Sequence, residues 1–257
     1  MTAKQTTLNK IERTLSLSDT SLSEPSLSDP SLSEPWLILF DCDGTLVDSE
    51  ALIVKAMQIA FENVGFEPPP SQAIRSVIGL SLPLAIEALG IKAGKGDIKE
   101  IGENYKTGYS FLRDTQGLSE PLFEGVEPLL ADLNRVDHYV LGIATGKSLK
   151  GVGSLLDQYQ LHSVFQTIQT SDNAPSKPHP AMITQALQET GIAKSNAIMI
   201  GDTSYDMEMA LSADVPAIGV TWGHHSRQEL SLYNPHSIVQ DMAGLRAAIG
   251  SIVEPGV

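Results

Sequence analysis

Two aspartates stand at the end of an apolar run, at a spacing that could serve chemistry. Asp41 and Asp43 follow the run WLILF at residues 36–40, and this run is short and preceded by Pro35, as expected of a buried strand. Residues i and i+2 of an extended chain point the same way, so the two carboxylates should leave the carboxyl end of the strand as a pair. Open α/β sheets bind ligands at that end. An isolated Asp-Gly step is more commonly a plain turn, so this interpretation depends on the rest of the chain.

A second pair of acids follows another apolar run. Asp202 comes directly after residues 197–201, and Asp206 lies about one helical turn further on. Helix capping would account for one of these two acids but less easily for both. Four carboxylates in one crevice would repel each other, at about 4 kcal/mol for each pair near 4 Å and an effective dielectric of about 20. Mg²⁺ would neutralise the cluster, since it is normally bound by a few carboxylates together with substrate phosphate.

Thr145 and Lys177 are candidate donors to an anion. Thr145 follows the apolar run at 138–144, where a hydroxyl and the free amides of a helix N-terminus face the end of a strand. Lys177 lies in the sequence PSKPHP, whose prolines stiffen the loop. Taken alone, the threonine is a common helix cap and the lysine a solvated loop residue.

The elements that would position these residues form two groups. Residues 50–115 contain four predicted helices and no convincing strand, at 50–64, 71–77, 82–89 and 97–112. Helices and strands alternate after residue 126, with strands predicted at 138–144, 164–168, 197–201, 216–220 and 237–239. This alternation predicts an α/β fold with a parallel, Rossmann-like sheet flanked by helices, built from residues 36–49 and 116–257. Residues 50–115 would be an inserted α-helical cap.

Residues 1–35 differ from the rest of the chain in composition. Four copies of a five-residue unit, SLSDT, SLSEP, SLSDP and SLSEP, run from Ser16 to Pro35. A period of five suits neither a helix nor a strand, and the prolines oppose regular pairing. We expect a disordered acidic tail, which would either dock on a partner or simply be solvated.

Composition excludes some classes of partner. The net charge of −14 argues against nucleic acid and against an anionic membrane surface, because both select clustered Lys and Arg. No apolar run approaches the ~18 residues of a membrane span, and no secretory signal is recognisable, so we expect a cytoplasmic protein. The single cysteine, Cys42, excludes an internal disulfide, and the carboxylates on either side make it a poor nucleophile.

Together, these residues resemble the haloacid dehalogenase superfamily of phosphotransferases. Its four motifs are matched in order by DCDGTLVDS, by Thr145 in IATGKS, by Lys177 and by GDTSYD. The resemblance covers about residues 36–240 and implies a Rossmann-like core with a small helical cap. The segments GVEPLLADL and AIGVTWG are similar to the phosphoglycolate phosphatase-like branch.

The resemblance implies a role for each motif residue. Asp41 would be the nucleophile that forms an aspartyl phosphate, and Asp43 would act as general acid and base. Mg²⁺ would be held by Asp41, the backbone carbonyl of Asp43 and Asp202, with direct or indirect support from Asp206. Thr145 and Lys177 would hold the phosphoryl oxygens. These are the expected site residues: Asp41, Asp43, Thr145, Lys177, Asp202 and Asp206.

Three functions stay open at this point. The first is a Mg²⁺-dependent phosphatase acting on a small phosphorylated metabolite, such as 2-phosphoglycolate or a sugar phosphate. The second is a phosphomutase of the β-phosphoglucomutase kind, and the third is a non-catalytic binding or regulatory protein. Residues that could contact a substrate are weakly marked, and none indicates the oligomeric state. Arg75, Ser81 and Arg113 are expected to be solvated or capping, and Trp222, His224 and His225 to lie on a surface loop.

Overall fold

The computed structural model of the protein describes residues 34–90 and 94–253. Nearly all of the segment predicted to be an acidic tail, residues 1–35, lies outside the described residues. Six strands form one parallel sheet in the order β3-β2-β1-β4-β5-β6. Their bounds are β1 Trp36–Phe40, β2 Tyr139–Thr145, β3 Thr167–Thr170, β4 Ala197–Gly201, β5 Ala217–Val220 and β6 Ser237–Val239. This sheet confirms the predicted fold class.

Helices cover both faces of the sheet. Those that follow residue 116 are α5 Val126–Leu133, α6 Leu149–Tyr159, α7 Ala181–Thr190, α8 Ser204–Ala213, α9 Arg227–Ser231 and α10 Met242–Val253, and α1 to α4 precede them in the chain. The alternation along β1 explains the two layers: Ile38 and Phe40 pack in one cluster with apolar residues of α5, α6 and α10. Leu37 and Leu39 face the opposite way and pack with residues of α7 and α8. No described helix is long and apolar enough to cross a membrane.

The third strand differs from its prediction. We expected it at 164–168, and the structure places β3 at Thr167–Thr170. Its buried side chains are polar: the Thr167 hydroxyl and the Gln169 amide donate to Glu189 Oε2 at 2.6 and 2.8 Å. The predicted range therefore begins three residues too early, because the apolar residues Val164 and Phe165 lie before this strand.

Four helices lie between β1 and the rest of the sheet and form the helical insertion, which we define as residues 50–116. They are α1 Glu50–Val64, α2 Ser71–Arg75, α3 Leu82–Ala88 and α4 Lys95–Gln116. The insertion has an apolar cluster of its own, which includes Met57, Phe61, Ile86 and Ile101. Helix α1 ends at Gly65, whose φ of 86° suits glycine. The insertion thus follows the predicted helical block closely, although α4 begins two residues earlier and ends four residues later than predicted.

Candidate active site

The carboxyl end of β1 carries Asp41 at the centre of the sheet edge. Its backbone amide donates to Ile200 O at 2.9 Å, so Asp41 continues the pairing of β1 with β4 and is completely buried. The chain then turns at Gly44, where φ is +84°. A side chain there would collide with neighbouring groups, because a Cβ would lie 2.2 Å from Asp202 Oδ2 and 2.3 Å from His224 Nδ1.

Lys177 joins two of the predicted site carboxylates. Its ammonium nitrogen lies 2.8 Å from Asp41 Oδ1 and 2.5 Å from Asp206 Oδ1, and the lysine side chain is completely buried. Asp206 also caps its own helix, because its Oδ2 accepts from the Thr203 amide at 3.0 Å and from the Thr203 hydroxyl at 2.7 Å. The loop lysine is therefore an internal counter-ion and not a solvated side chain.

Asp202 follows β4, and both oxygens of its carboxylate have hydrogen-bond partners. Oδ1 accepts from the Thr45 hydroxyl at 2.9 Å, and Oδ2 lies 2.8 Å from the His224 amide nitrogen and 2.7 Å from His224 Nδ1. The side chain of His224 is only 3% exposed, so the expectation that it lies on a surface loop is wrong. His225 is also buried, and its Nδ1 accepts from the Ser204 amide at 3.0 Å.

Three carboxylates meet in a group that could hold a metal ion. Asp41, Asp202 and Asp206 each offer an oxygen, these atoms all lie within 4.8 Å of one another, and all three residues are buried. Oδ1 of Asp41 lies 2.8 Å from the Lys177 ammonium nitrogen, whereas Oδ2 has no hydrogen-bond donor among the residues that the structure describes. Buried carboxylate oxygens without donors are costly unless something else compensates them, so the site fits a hard divalent cation.

The electrostatics of Asp41 follow from this arrangement. Burial raises the pKa of its carboxyl to about 7, because desolvation and the charges of Asp206 and Asp202 together outweigh the attraction of Lys177. Burial, with the neighbouring Asp41 and Asp43 charges, also raises the pKa of the Cys42 thiol. Cys42 is therefore not activated as a nucleophile, as predicted from its neighbours.

The side chain of Asp43 turns away from the three-carboxylate group. Its Oδ1 accepts from the Ser49 hydroxyl at 2.6 Å and from Lys147 Nζ at 2.8 Å. Lys147 Nζ also donates to Glu120 Oε2 at 2.6 Å and to the Tyr109 hydroxyl at 3.1 Å. Burial raises the pKa of Asp43, but the Lys147 ammonium and the Ser49 hydroxyl outweigh it and hold the pKa below its ordinary value.

A cleft of about 810 Å³ lies between the sheet edge and the helical insertion. Asp41, Asp43, Thr145 and Lys147 line its floor, and residues of α1, α3 and α4 line the opposite side. The hydroxyl oxygen of Thr145 accepts from the Lys147 amide at 3.3 Å. Asp41, Asp43 and Thr145 are thus open to one common space.

Comparison with known proteins is consistent with this geometry. Residues 38–220 match the family of haloacid dehalogenase-like hydrolases. This chain belongs to that family. A protein of Dickeya dadantii named "Probable phosphatase IndB" is 32% identical over 222 residues, which are 85% of this chain and 95% of that protein. A phosphoglycolate phosphatase of Photorhabdus laumondii is 27% identical over 83% of this chain and 92% of its own length.

A solved structure of the family shows the same arrangement of the chain. The crystal structure of a predicted phosphatase from Clostridium acetobutylicum is 26% identical to this chain and superposes with a TM-score of 0.74. The match covers 84% of this chain and 99% of that one. The resemblance noted from the four sequence motifs is therefore confirmed at the level of family and fold.

The structure brings Asp41, Asp202 and Asp206 together at one edge of the sheet, and some of the partners of the predicted acids were not expected from the sequence. Lys147, Glu120 and Tyr109, which surround Asp43, were not selected, and His224 was assigned to the surface. One signal was available: Lys147 directly follows the Thr145-Gly146 step, so it had to lie near the same sheet edge. Glu120 and Tyr109 carry no local signal, because only the tertiary fold brings them to Lys147.

Proposed function

We propose that the protein is a Mg²⁺-dependent phosphatase that hydrolyses a small phosphate monoester through an aspartyl phosphate on Asp41. The observation that carries this proposal is the state of Asp41. Its carboxylate lines the cleft, one of its oxygens lies 2.8 Å from the ammonium of a buried lysine, and the other oxygen has no hydrogen-bond donor among the described residues. A carboxylate with one oxygen that accepts no hydrogen bond, next to a fixed ammonium group, suits attack on an anionic phosphoryl group.

In the proposed first step, an Asp41 oxygen attacks phosphorus and the bond from phosphorus to the ester oxygen breaks. Asp43 would take up a proton from solvent as the anionic ester binds beside it and raises the pKa that Lys147 holds down in the free protein. It would then give this proton to the departing alkoxide, so that an alcohol leaves. In the second step Asp43 removes a proton from water, and the resulting nucleophile attacks phosphorus and releases phosphate from Asp41. Ser49 and Lys147 hold one oxygen of Asp43, and this leaves its other oxygen to exchange the proton.

Asp41, Asp202 and Asp206 would hold the metal ion, with the backbone carbonyl of Asp43 as a further ligand. The ion would supply positive charge to the phosphoryl oxygens. The chain supplies its own charge through Lys177, and Thr145 offers a neutral donor at the floor of the cleft. Thr45 and His224 would fix the orientation of Asp202 by binding its two oxygens.

The charge distribution supports an anionic substrate. The whole chain has 17 basic and 31 acidic residues. The cleft lining, in contrast, has six basic and five acidic residues. Since two of those five acids are Asp41 and Asp43, the remaining lining is positive. A locally positive cleft on an acidic protein attracts phosphate esters without making the protein bind nucleic acid.

We further propose that residues 36–49 and 116–257 act as the catalytic core and residues 50–115 as a cap. Contacts between the two are made at the site itself, where Tyr109 of α4 accepts from Lys147. A cap at this position would exclude water from the reacting groups and would select the substrate. Residues 1–35 would be an accessory tail.

Phosphate release from a panel of esters tests the proposal. We expect Mg²⁺-dependent release from at least one member of a panel that includes 2-phosphoglycolate and sugar phosphates, and loss of release with a chelator. Release without a bisphosphate activator distinguishes a phosphatase from a phosphomutase. Asp41→Asn keeps the shape of the side chain and should abolish turnover while the circular dichroism spectrum and thermal midpoint stay close to those of the parent. Substantial turnover in Asp41→Asn would refute the assigned nucleophile.

A further inference from the structure

The cleft above Asp41 continues into the helical insertion as an apolar arm. We define this arm by six of its lining residues, Ile53, Met57, Ile78, Leu82, Ile86 and Ile98. Leu82 and Ile98 are partly exposed, and the other four are at most 7% exposed and form the wall behind them as part of the apolar cluster of the insertion. The six residues come from α1, from the segment after α2, from α3 and from α4. Apolar side chains that line a space continuous with reacting groups are characteristic of a pocket for an apolar ligand.

The size of the cleft exceeds the needs of a two-carbon substrate. An ester such as 2-phosphoglycolate has about nine non-hydrogen atoms, and ~30 Å³ for each, the share of one liquid water, is a generous allowance. Such an ester would then fill about a third of the 810 Å³. The rest of the space would then stay open to water, and a small ester with about three negative charges would not cover the apolar residues that line it.

Gly102 of α4 lies among the residues that line the cleft, next to the arm. It lies in the interior of this helix and is buried, although glycine is a poor helix former. A Cβ there would stand 3.7 Å from Leu82 Cδ2 and 3.9 Å from Ile86 Cδ1, which is ordinary contact. A larger side chain at this position would extend into the space that the arm encloses.

We propose that the substrate is a phosphate monoester with an apolar alcohol portion of about six or more carbons, which the apolar arm binds while the phosphate lies at Asp41. This inference rests on the proposed phosphatase function and adds its substrate class. The apolar portion would be bound by desolvation alone, so the arm would distinguish esters by length and shape and not by hydroxyl pattern.

A homologous series of alkyl phosphates tests this inference, because the ester chemistry stays constant while apolar length changes. We expect kcat/KM with Mg²⁺ to rise about threefold to fourfold for each added methylene, the factor for burying one such group. Hexyl phosphate should therefore exceed ethyl phosphate by on the order of a hundredfold. It should also exceed 2-phosphoglycolate.

Gly102→Leu should fill the arm and lower the ratio of kcat/KM for hexyl over ethyl phosphate at least tenfold. Gly96→Leu is the matched control, since Gly96 lies on the same helix, is exposed and has no heavy atom within 4 Å of an added Cβ. In the Gly96→Leu protein, the ratio of kcat/KM for hexyl over ethyl phosphate should equal that of the parent. Gly102→Ala adds a Cβ that makes only ordinary contacts, so it should lower this ratio by a smaller factor. If leucine at this position prevents folding, the alanine variant still tests the inference.

The possible outcomes separate this inference from the proposed function. A flat alkyl series, a preference for 2-phosphoglycolate, or an unchanged ratio in a folded Gly102→Leu protein would overturn the substrate class while the phosphatase assignment stands. Failure to release phosphate from every ester, 2-phosphoglycolate included, would overturn the proposed function and this inference with it.

Discussion

At the scale of single residues, Lys177 decides the charge balance of the site. Its ammonium contacts Asp41 and Asp206, and Asp202 lies in the same buried group. Three buried carboxylates and one buried ammonium leave an excess of negative charge that burial makes costly. The lysine therefore has a structural role before any substrate binds, in addition to its proposed contact with a phosphoryl oxygen.

Lys177→Met should destabilise the protein because it removes the cation and leaves the carboxylates buried. We expect the free energy of unfolding to fall by about 3 kcal/mol or more, as for the loss of one partner of a buried ion pair. Urea unfolding in chelator measures this change, and added Mg²⁺ should restore part of the loss. Lys194→Met is the control: Lys194 lies 2.7 Å from Asp214 in an exposed pair, and its loss should have little effect. Equal stability of the two variants would contradict the role of Lys177.

The raised pKa of Asp41 predicts proton release when Mg²⁺ binds. With a pKa of about 7, Asp41 is about nine-tenths protonated at pH 6 and about one-tenth protonated at pH 8 in the metal-free protein. Metal binding requires the ionised carboxylate, so close to one proton should be released at pH 6 and almost none at pH 8. Mg²⁺ affinity should fall as the pH drops below 7. Calorimetric titration in buffers of different ionisation enthalpy counts the protons, and equal release at both pH values would contradict the prediction.

The residues of the site differ in how far sequence could predict them. The acids stand out because each follows an apolar run at the spacing of a strand end, which is a local pattern. The contact of His224 with Asp202 depends on where the loop after β5 folds back, and adjacent histidines alone gave no reason to expect it. The pairing of Lys147 with Glu120 likewise joins segments that only the fold brings together.

At the scale of elements, strands with apolar side chains on both faces were predictable and a polar strand was not. β1, β4 and β6 have the predicted bounds. β1 and β4 are short, mainly apolar runs, each followed by an aspartate, which makes their bounds visible in the sequence. β3 was displaced because Thr167 and Gln169 satisfy their buried polar groups through Glu189 of α7. That compensation comes from a helix that follows the strand, and no pattern within the strand reveals it.

The contact between the helical insertion and the sheet edge depends on Gly146. A Cβ at Gly146 would lie 2.5 Å from Gly79 O and 2.7 Å from Leu80 O, and both are backbone atoms of the insertion. Gly146→Ala should therefore displace the insertion from the site and lower kcat/KM at least tenfold, with only a small loss of thermal stability. Gly153→Ala on α6 is the control, because an added Cβ there meets nothing within 4 Å and alanine favours the helix by about 1 kcal/mol. Parent-like kinetics in Gly146→Ala would show that the close approach is not required for turnover.

At the scale of the whole molecule, the described part of the chain contains every residue that the proposed mechanism uses. The match to the Dickeya dadantii relative takes up 95% of that protein and 85% of this chain. Among the described residues, Glu34 and Pro35 contact the turn just before β4, since Asn196 donates to Glu34 Oε2 at 2.9 Å and to Pro35 O at 3.5 Å.

A chain that begins at Glu34 should therefore keep the activity. We expect kcat/KM within about twofold of the full chain and an unchanged preference among esters, because the described residues that line the cleft and form the three-carboxylate group include every side chain that the proposed mechanism uses. Steady-state kinetics of the two chains with the same esters and Mg²⁺ make the comparison, with a thermal melt of each to verify folding. If the shorter chain folds but loses turnover, the preceding residues take part in catalysis, and the proposal that they are an accessory tail is refuted. Equal kinetics would instead assign the whole reaction to the sheet edge and the helices above it.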